Sequence, residues 1–147
     1  MALSSKRFFV AAVLSLVAAG VFAGCSSEAR LVNAAKKDSH SGTRKMAVEG
    51  LTEQASLVEV AKDSKYGLTR MQAAERLDER YQAVAQATYA DLARSRGLDA
   101  TSVEVRRAAV HKLTDPKRLA RVAKKSDDPY VRQVATQKLA RMSEPEK

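Results

Sequence analysis

Apolar and polar positions repeat along most of the chain with a spacing that is typical of paired helices. In four segments an Arg is followed by Ala three positions later and by Leu seven positions later, which places the three side chains on one helical face. The four sets are Arg44-Ala47-Leu51, Arg70-Ala73-Leu77, Arg106-Ala109-Leu113 and Arg132-Ala135-Leu139. The pattern predicts four copies of one helical unit.

A second apolar block lies upstream of each Arg. Its members are Leu31-Ala34-Ala35, Leu57-Val60-Ala61, Tyr89-Leu92-Ala93 and Leu119-Val122-Ala123. Each unit is therefore predicted to contain a short first helix, a turn and a longer second helix. The four arginines are 26, 36 and 26 positions apart, and the extra residues of the third unit fall within 78–88 and around Gly97.

Residues that favour turns and helix ends separate these predicted helices. Asp128 is expected to cap the last helix, with Pro129 at its first position, and Asp115-Pro116 separates the two helices beside it. The stretch 68–96 contains neither Gly nor Pro. Its apolar stripe is compatible with one long helix or with two helices that break near Asp78, and the sequence leaves both open.

The repetition predicts an all-α fold in which stacked units bury faces that none could bury alone. Val105-Arg106-Arg107-Ala108-Ala109-Val110, followed by Leu113-Thr114-Asp115, resembles the second helix of short-period HEAT-type repeats. So does Asp128-Pro129-Tyr130-Val131-Arg132. The resemblance covers Leu31 to Met142 and implies a short α-solenoid, a HEAT-like α/α superhelix of about four helix-pair units. Such proteins are usually protein-binding scaffolds.

The recurring arginines share a face with core residues and therefore need partners, because a buried unpaired charge is costly. The HEAT-type resemblance implies an Asp-to-Arg ladder between adjacent units. A structural role is accordingly expected for Arg44, Arg70, Arg106 and Arg132. The functional alternative is that these four arginines line a ligand groove.

The N-terminus has the layout of an export signal. Lys6 and Arg7 precede an apolar run of 16 residues, which is interrupted only by Ser15 and Gly20 and is short for a membrane-spanning helix. The run ends in Phe22-Ala23-Gly24-Cys25, which resembles the lipobox of bacterial lipoproteins. The resemblance implies that residues 1–24 are removed and that Cys25 carries lipid.

Three further expectations follow from this reading of the N-terminus. Residues 25–30 would be a short tether, 31–142 the repeat domain and 143–147 a tail. In lipoproteins of diderm bacteria, Ser at the position of Ser26 implies the outer membrane, on its periplasmic side; in a host with one membrane, the protein would sit on the cell membrane. An uncleaved anchor helix and an ordinary secretory signal that leaves a free thiol at Cys25 remain as alternatives.

Composition narrows the chemistry that the chain can perform. A single Cys and two His among 147 residues exclude a disulfide framework, a cysteine zinc site and a histidine-rich metal site. The sequence contains no Gly-rich phosphate loop and no Ser-centred elbow. We therefore expect no catalytic residue, no metal and no cofactor, and the chain is predicted not to be an enzyme.

Positive charge is concentrated in the last third of the chain. Residues 25–104 contain 12 basic and 12 acidic residues, whereas residues 105–147 contain 12 basic and 5 acidic residues. An excess of this kind predicts an anionic partner, and the export signal argues against nucleic acid. Five cations on the polar side of one predicted helix form the candidate interaction stripe: Lys117, Arg118, Arg121, Lys124 and Lys125.

Three functions fit these observations. The first is a membrane-anchored, periplasm-facing scaffold that binds a protein partner through its helical repeats. The second is a structural tether whose basic C-terminal units bind an anionic lipid surface or a cell-wall polymer. The third is an accessory subunit of an enzyme complex.

Overall fold

The computed structural model describes residues 27–95 and 103–144, and its regular secondary structure is entirely helical in these two ranges. The all-α prediction is therefore confirmed. The predicted export signal, Cys25 and the predicted loop around Gly97 lie outside the described residues. The helices are α1 (27–37), α2 (Ser41–Gly50), α3 (Gln54–Asp63), α4 (Gly67–Glu75), α5 (Gln82–Arg94), α6 (Val103–Lys112), α7 (Pro116–Lys125) and α8 (Pro129–Ser143).

The helices form four consecutive pairs that stack in two layers. We call α1 and α2 unit 1, α3 and α4 unit 2, α5 and α6 unit 3, and α7 and α8 unit 4. The two helices of a unit pack on each other in units 2, 3 and 4, and from α2 onwards each helix also packs on the helix two places later. First helices thus lie in one layer and second helices in the other. This is the solenoid-like arrangement that the repeat predicted.

Short connections fix the direction of the helices. Three-residue loops at 38–40, 64–66 and 126–128 join the helices within units, and loops at 51–53 and 113–115 join successive units. Such connections make neighbouring helices antiparallel. The first helices α1 and α3 therefore run opposite to the second helices α2 and α4, and α7 runs opposite to α6 and α8.

The core consists of a few leucines surrounded by Val and Ala. Leu51, Leu57, Leu92, Leu113 and Leu119 are all fully buried. The alanines of the repeated Arg-Ala-Leu pattern are buried in all four units. The exception among the repeated leucines is Leu139, which is only partly buried, because the described residues contain no later unit to cover α8.

The lengths of the helices differ from the prediction in the first three units. The first helices α1, α3 and α5 have at least as many residues as the second helices α2, α4 and α6. Their first turns begin with polar residues, so the apolar pattern does not show them. Residues 27–30, predicted as part of the tether, already belong to α1, and Glu28 within them is buried. α8 ends at Ser143, one residue inside the predicted tail.

The stretch 68–96 contains two separate helices up to the end of its described part. α4 ends at Glu75, a single 3-10 turn spans Glu79–Tyr81, and α5 begins at Gln82. The break occurs without Gly or Pro because Asp78 acts as a cap: its Oδ1 accepts a hydrogen bond from the backbone N–H of Arg80 at 3.0 Å.

Candidate interaction surface

Helix α7 carries the predicted interaction stripe, and its start is fixed by Asp115. The Oδ1 atom of Asp115 accepts hydrogen bonds from the backbone N–H groups of Lys117 at 2.9 Å and Arg118 at 3.1 Å. Pro116 occupies the first helical position, where its missing N–H costs nothing. The bonds from the N–H groups of Arg118 and Lys117 hold the pKa of Asp115 below its usual value.

The two sides of α7 differ sharply. Leu119 and Val122 are fully buried on one side, where α7 packs on α5 and α8. The exposed side carries four of the five predicted cations, whose charged side-chain groups form no hydrogen bond or ion pair with any residue that the structure describes. We call these four residues the basic face: Lys117, Arg121, Lys124 and Lys125.

Arg118 differs from the other members of the predicted stripe. It is half-buried, and its Nε donates to Asp115 Oδ2 at 3.1 Å. Its charge is therefore paired with the carboxylate that caps α7, and we do not include Arg118 in the basic face.

Many cations elsewhere in the stack have carboxylate partners. Lys36 Nζ lies 2.8 Å from Glu59 Oε1, and this hydrogen bond raises the pKa of Lys36. Lys112 Nζ lies 2.9 Å from Glu75 Oε1. Both pairs connect adjacent units, so their charges contribute to stacking. The basic face has no comparable counter-charge among the residues that the structure describes.

The recurring arginines close loops within units. Arg44 is only 8% exposed, and its Nη1 donates to the backbone carbonyls of Asp38 at 2.9 Å and Ser39 at 2.8 Å. Arg132 repeats this arrangement in unit 4, where its Nη1 donates to the carbonyls of Ser126 and Asp127 just after α7. The acceptors in these two units are backbone carbonyls, whereas the HEAT-type resemblance implied Asp carboxylates.

The other two recurring arginines have different surroundings. Arg70 Nε donates to the Ala61 carbonyl at 2.9 Å, and its Nη2 lies 3.9 Å from Asp91 Oδ2 in the next unit. Arg106 lines a shallow groove between α6 and the start of α8. Arg44 lies beneath the ring of Tyr66, 3.6 Å from the ring centroid, so the four arginines do not line one open groove.

A second set of repeated contacts was not predicted. Glu28 Oε1 accepts from the N–H groups of Thr52 and Glu53 at 3.0 and 2.9 Å, and Gln86 Oε1 accepts from those of Thr114 and Asp115 at 2.7 and 3.1 Å. Gln54 Oε1 likewise accepts from the Asp78 N–H at 3.0 Å. In each case a first-helix side chain holds the loop that leads to the next unit.

The sequence does contain a signal for these loop-holding residues. Glu28, Gln54 and Gln86 each lie three positions before the first apolar residue of their unit's upstream block. The corresponding position in unit 4 is Pro116. A search for repeated polar residues, in addition to repeated apolar ones, would have found them.

Two further sets of contacts join adjacent units. The hydroxyls of Ser64 and Ser126, which occupy the same position in their units, donate to the carbonyls of Ala35 at 3.4 Å and Ala93 at 3.0 Å in the preceding unit. Cationic side chains also join adjacent units, because they donate to backbone carbonyls near the C-terminal ends of second helices in the preceding unit. Arg76 donates to the Val48 carbonyl, and Lys138 donates to the His111 carbonyl at 2.6 Å. Burial lowers the pKa of Lys138.

Neither a metal centre nor a membrane-spanning helix is found in the described part of the chain. No group of three His, Cys, Asp or Glu residues in residues 27–95 and 103–144 could hold a metal ion. No helix within the same ranges is long and apolar enough to cross a bilayer. The chain matches no family model, no curated protein and no solved structure.

Proposed function

We propose that the chain is a lipid-anchored helical-repeat scaffold that binds an acidic protein partner through the basic face of α7. The lipid is carried by Cys25, and the stack faces the periplasm from the outer membrane. The basic face is the observation that carries this proposal. The resemblance of Phe22-Ala23-Gly24-Cys25 to a lipobox supports the anchor.

The basic face costs stability in the absence of a partner. Lys117 and Arg121 are four positions apart, as are Arg121 and Lys125. Like charges at this spacing repel by about 0.2–0.5 kcal/mol for each pair on a helix surface. Carboxylates of a bound protein would remove this repulsion and strengthen the attraction that steers association.

The helix presents these charges on a rigid support. Leu119 and Val122 fix the rotation of α7 against α5 and α8, and the Asp115 cap fixes its first turn. The backbone of the basic face is therefore preorganised, which lowers the entropy lost on binding.

The anchor sets where the stack sits. The first described helical residue, Ser27, lies two positions after Cys25, so a lipid on Cys25 holds unit 1 next to the bilayer. Helices pack about 8–10 Å apart. Unit 4, three units further along, would therefore stand some tens of ångströms from the anchor along the stack, within reach of a periplasmic protein.

The anchor is tested by the intact mass of protein extracted from membranes. We expect a chain that begins at Cys25 and carries acyl groups, and we expect Cys25→Ala to prevent both processing and membrane attachment. A chain that retains Met1, or a processed chain with a free thiol, would contradict the proposal.

The basic face is tested by in-cell crosslinking and mass spectrometry. The variant Lys117→Gln, Arg121→Gln, Lys125→Gln is compared with the control Lys37→Gln, Lys62→Gln, Lys65→Gln, which removes the same charge from exposed positions of units 1 and 2. We expect the first variant alone to lose an acidic crosslinked protein, and raised salt to weaken the same contact in the parent. If every crosslinked protein persists, the face is only solvated. If binding to anionic vesicles or cell-wall sacculi is lost instead, the protein is a tether.

A further inference from the structure

Two tyrosines stack on arginines of the preceding unit, and the two contacts differ in exposure. Tyr66, in unit 2, covers the Arg44 guanidinium, whose carbon lies 3.6 Å from the ring centroid. Tyr130, in unit 4, lies against Arg107, with 4.7 Å between the same groups. The Arg44–Tyr66 contact lies within the stack, whereas the Arg107–Tyr130 contact is exposed to solvent.

The contact in units 1 and 2 is closed. Arg44 is buried, its Nη1 donates to the carbonyls of Asp38 and Ser39, and its Nε donates to the hydroxyl of Thr69. Tyr66 is half-buried. These bonds all lie within the stack, so this contact has a structural role.

The contact in units 3 and 4 is open. Tyr130 is 39% exposed, and its hydroxyl lies 3.0 Å from Nε2 of His111. Arg107 over the ring and His111 at the hydroxyl therefore hold the side chain in place while it faces solvent. A large aromatic side chain that is already ordered loses little entropy on binding, which is why such residues dominate protein interfaces.

Arg107 has hydrogen-bond donors that are not used by any residue that the structure describes. Its side chain is 49% exposed, and its contacts with the described residues are the Tyr130 ring and an ion pair in which Nε lies 3.7 Å from Asp128 Oδ2. Asp128 is occupied by the backbone N–H of Tyr130 at 2.9 Å and is almost buried. Within residues 27–95 and 103–144 no hydrogen-bond acceptor is assigned to the two Nη groups of Arg107, and a guanidinium can bind a carboxylate through such groups with two parallel hydrogen bonds.

Apolar surface lies beside these donors. Val103 is 38% exposed, and it lines the same shallow groove as Arg107 and Pro129. Arg106 and Asp127 also line this groove. The surface therefore combines a positioned guanidinium, an exposed aromatic ring and an aliphatic side chain.

We propose that Arg107 and Tyr130 form a docking site for a segment of a partner protein in which an apolar side chain lies next to a carboxylate. The carboxylate binds the Nη groups of Arg107, and the apolar side chain packs on Tyr130 and Val103. This inference rests on the proposed scaffold function and adds a site on the second-helix layer that is separate from the basic face.

The test uses full-length protein in neutral detergent and three fluorescently labelled peptides. The peptides share one Gly-Ser sequence and differ only in their central residues, which are Glu-Leu-Glu, Gln-Leu-Gln or Glu-Gly-Glu. Binding is measured by fluorescence anisotropy. We expect the Glu-Leu-Glu peptide to bind most tightly. Arg107→Lys, which keeps the charge but loses the planar fork, and Tyr130→Ala should each weaken it about fivefold or more.

Leu68→Ala is the matched control, because Leu68 is exposed and lies two positions before its unit's Arg, as Tyr130 does. It should bind the peptide like the parent. Tyr130→Phe keeps the ring and tests the site if Tyr130→Ala does not fold; it should retain most of the affinity.

Three results would overturn the proposal. The first is that the protein binds all three peptides equally or binds none of them, and the second is that Arg107→Lys and Tyr130→Ala both bind like the parent. The third is that Leu68→Ala loses as much affinity as these two variants. If the basic-face variant alone weakens both acidic peptides equally, the site proposed here fails while the scaffold function stands. If Arg107→Lys and Tyr130→Ala act as expected but in-cell crosslinking finds no protein, the docking site stands and the scaffold function fails.

Discussion

At the scale of single residues, side chains that bind backbone groups hold the connections between units. Gln86 is the fullest example, because its amide both accepts from Thr114 and Asp115 and donates to the Lys112 carbonyl at 3.4 Å. One buried side chain thereby fixes the end of α6 and the entry to α7. The free energy of unfolding should depend strongly on it.

Replacing Gln86 by Ala should lower the free energy of unfolding by about 1–3 kcal/mol, since two backbone N–H groups lose their acceptor. Gln86→Glu should cost less, because Glu28 performs the same task with a carboxylate in unit 1. Urea unfolding followed by circular dichroism measures both. Gln133→Ala, at an exposed position on α8, is the control. Equal stability of Gln86→Ala and Gln133→Ala would show that the loop needs no such support.

The cap of α7 predicts a dependence on pH. Because folding lowers the pKa of Asp115, its ionised form stabilises the folded state above the ordinary Asp pKa near 4, and this contribution disappears as pH falls through the lowered pKa. Asp115→Ala should cost about 1 kcal/mol at neutral pH and less in acid. Asp115→Asn should keep most of the cap and remove its pH dependence. Thermal unfolding measured between neutral and acidic pH tests this prediction. If Asp115→Ala lost as much stability in acid as at neutral pH, the prediction would be wrong.

The residue scale also shows what the sequence could reveal. The spacing of Arg44 and Arg132 identified them as inward-facing residues that need partners, and the structure supplies those partners. Which partners they have could not be predicted, because backbone carbonyls are present at every position and leave no mark in a sequence. The cations on the basic face were found directly from the apolar spacing of Leu119 and Val122.

At the scale of helices, the depth of burial follows the number of neighbouring units. Leu113 ends the repeated pattern of unit 3 and is completely buried, whereas Leu139 in unit 4 is only partly buried. The apolar spacing gives both residues the same environment. It cannot show that only one of them is followed by a further unit among the described residues.

Leu113→Ala should therefore lower the free energy of unfolding by about 2–5 kcal/mol, the usual range for a buried leucine. Leu139→Ala should lower it clearly less. Thermal and urea unfolding of the two variants measures the difference. Equal losses would mean that α8 is covered in solution by something that the stack does not itself provide.

Helix boundaries were predicted less well than helix identity. The apolar blocks located every first helix, but the helices begin with polar turns such as the one that contains Gln54. The break between α4 and α5 was left open because its cause is a side-chain cap at Asp78 and not a Gly or Pro. Periodicity detects buried faces, whereas hydrogen bonds at helix ends decide where helices stop.

At the scale of the whole molecule, every unit depends on its neighbours. Units 2 and 3 are covered on both sides, while units 1 and 4 have one described neighbour each. Stability in such an array is approximately the sum of unit and interface contributions. The middle of the stack should therefore be its most stable part.

Hydrogen exchange of the full-length protein tests this expectation. Backbone amides of α4 and α5 should exchange most slowly, and those of α1 and α8 most rapidly, because the end units open without disturbing two interfaces. If α1 were as protected as α4, the N-terminal unit would have an additional partner, and under the proposed lipid anchor the bilayer would be the first candidate. Comparison of membrane-extracted protein with Cys25→Ala would decide.

Pro116, at the position where other units carry Glu or Gln, affects how an array of this kind can grow. Duplicating unit 2 together with Arg76, which follows it, would copy Gln54, Ser64 and Arg76, so that the new repeat would bring its own means of holding the loop after it and of binding the repeat before it. A repeat grafted after α8 would meet a proline, whose side chain offers no acceptor to the incoming loop. The gene could thus lengthen through its middle far more readily than through its end, and an engineer who wishes to extend the stack should begin there.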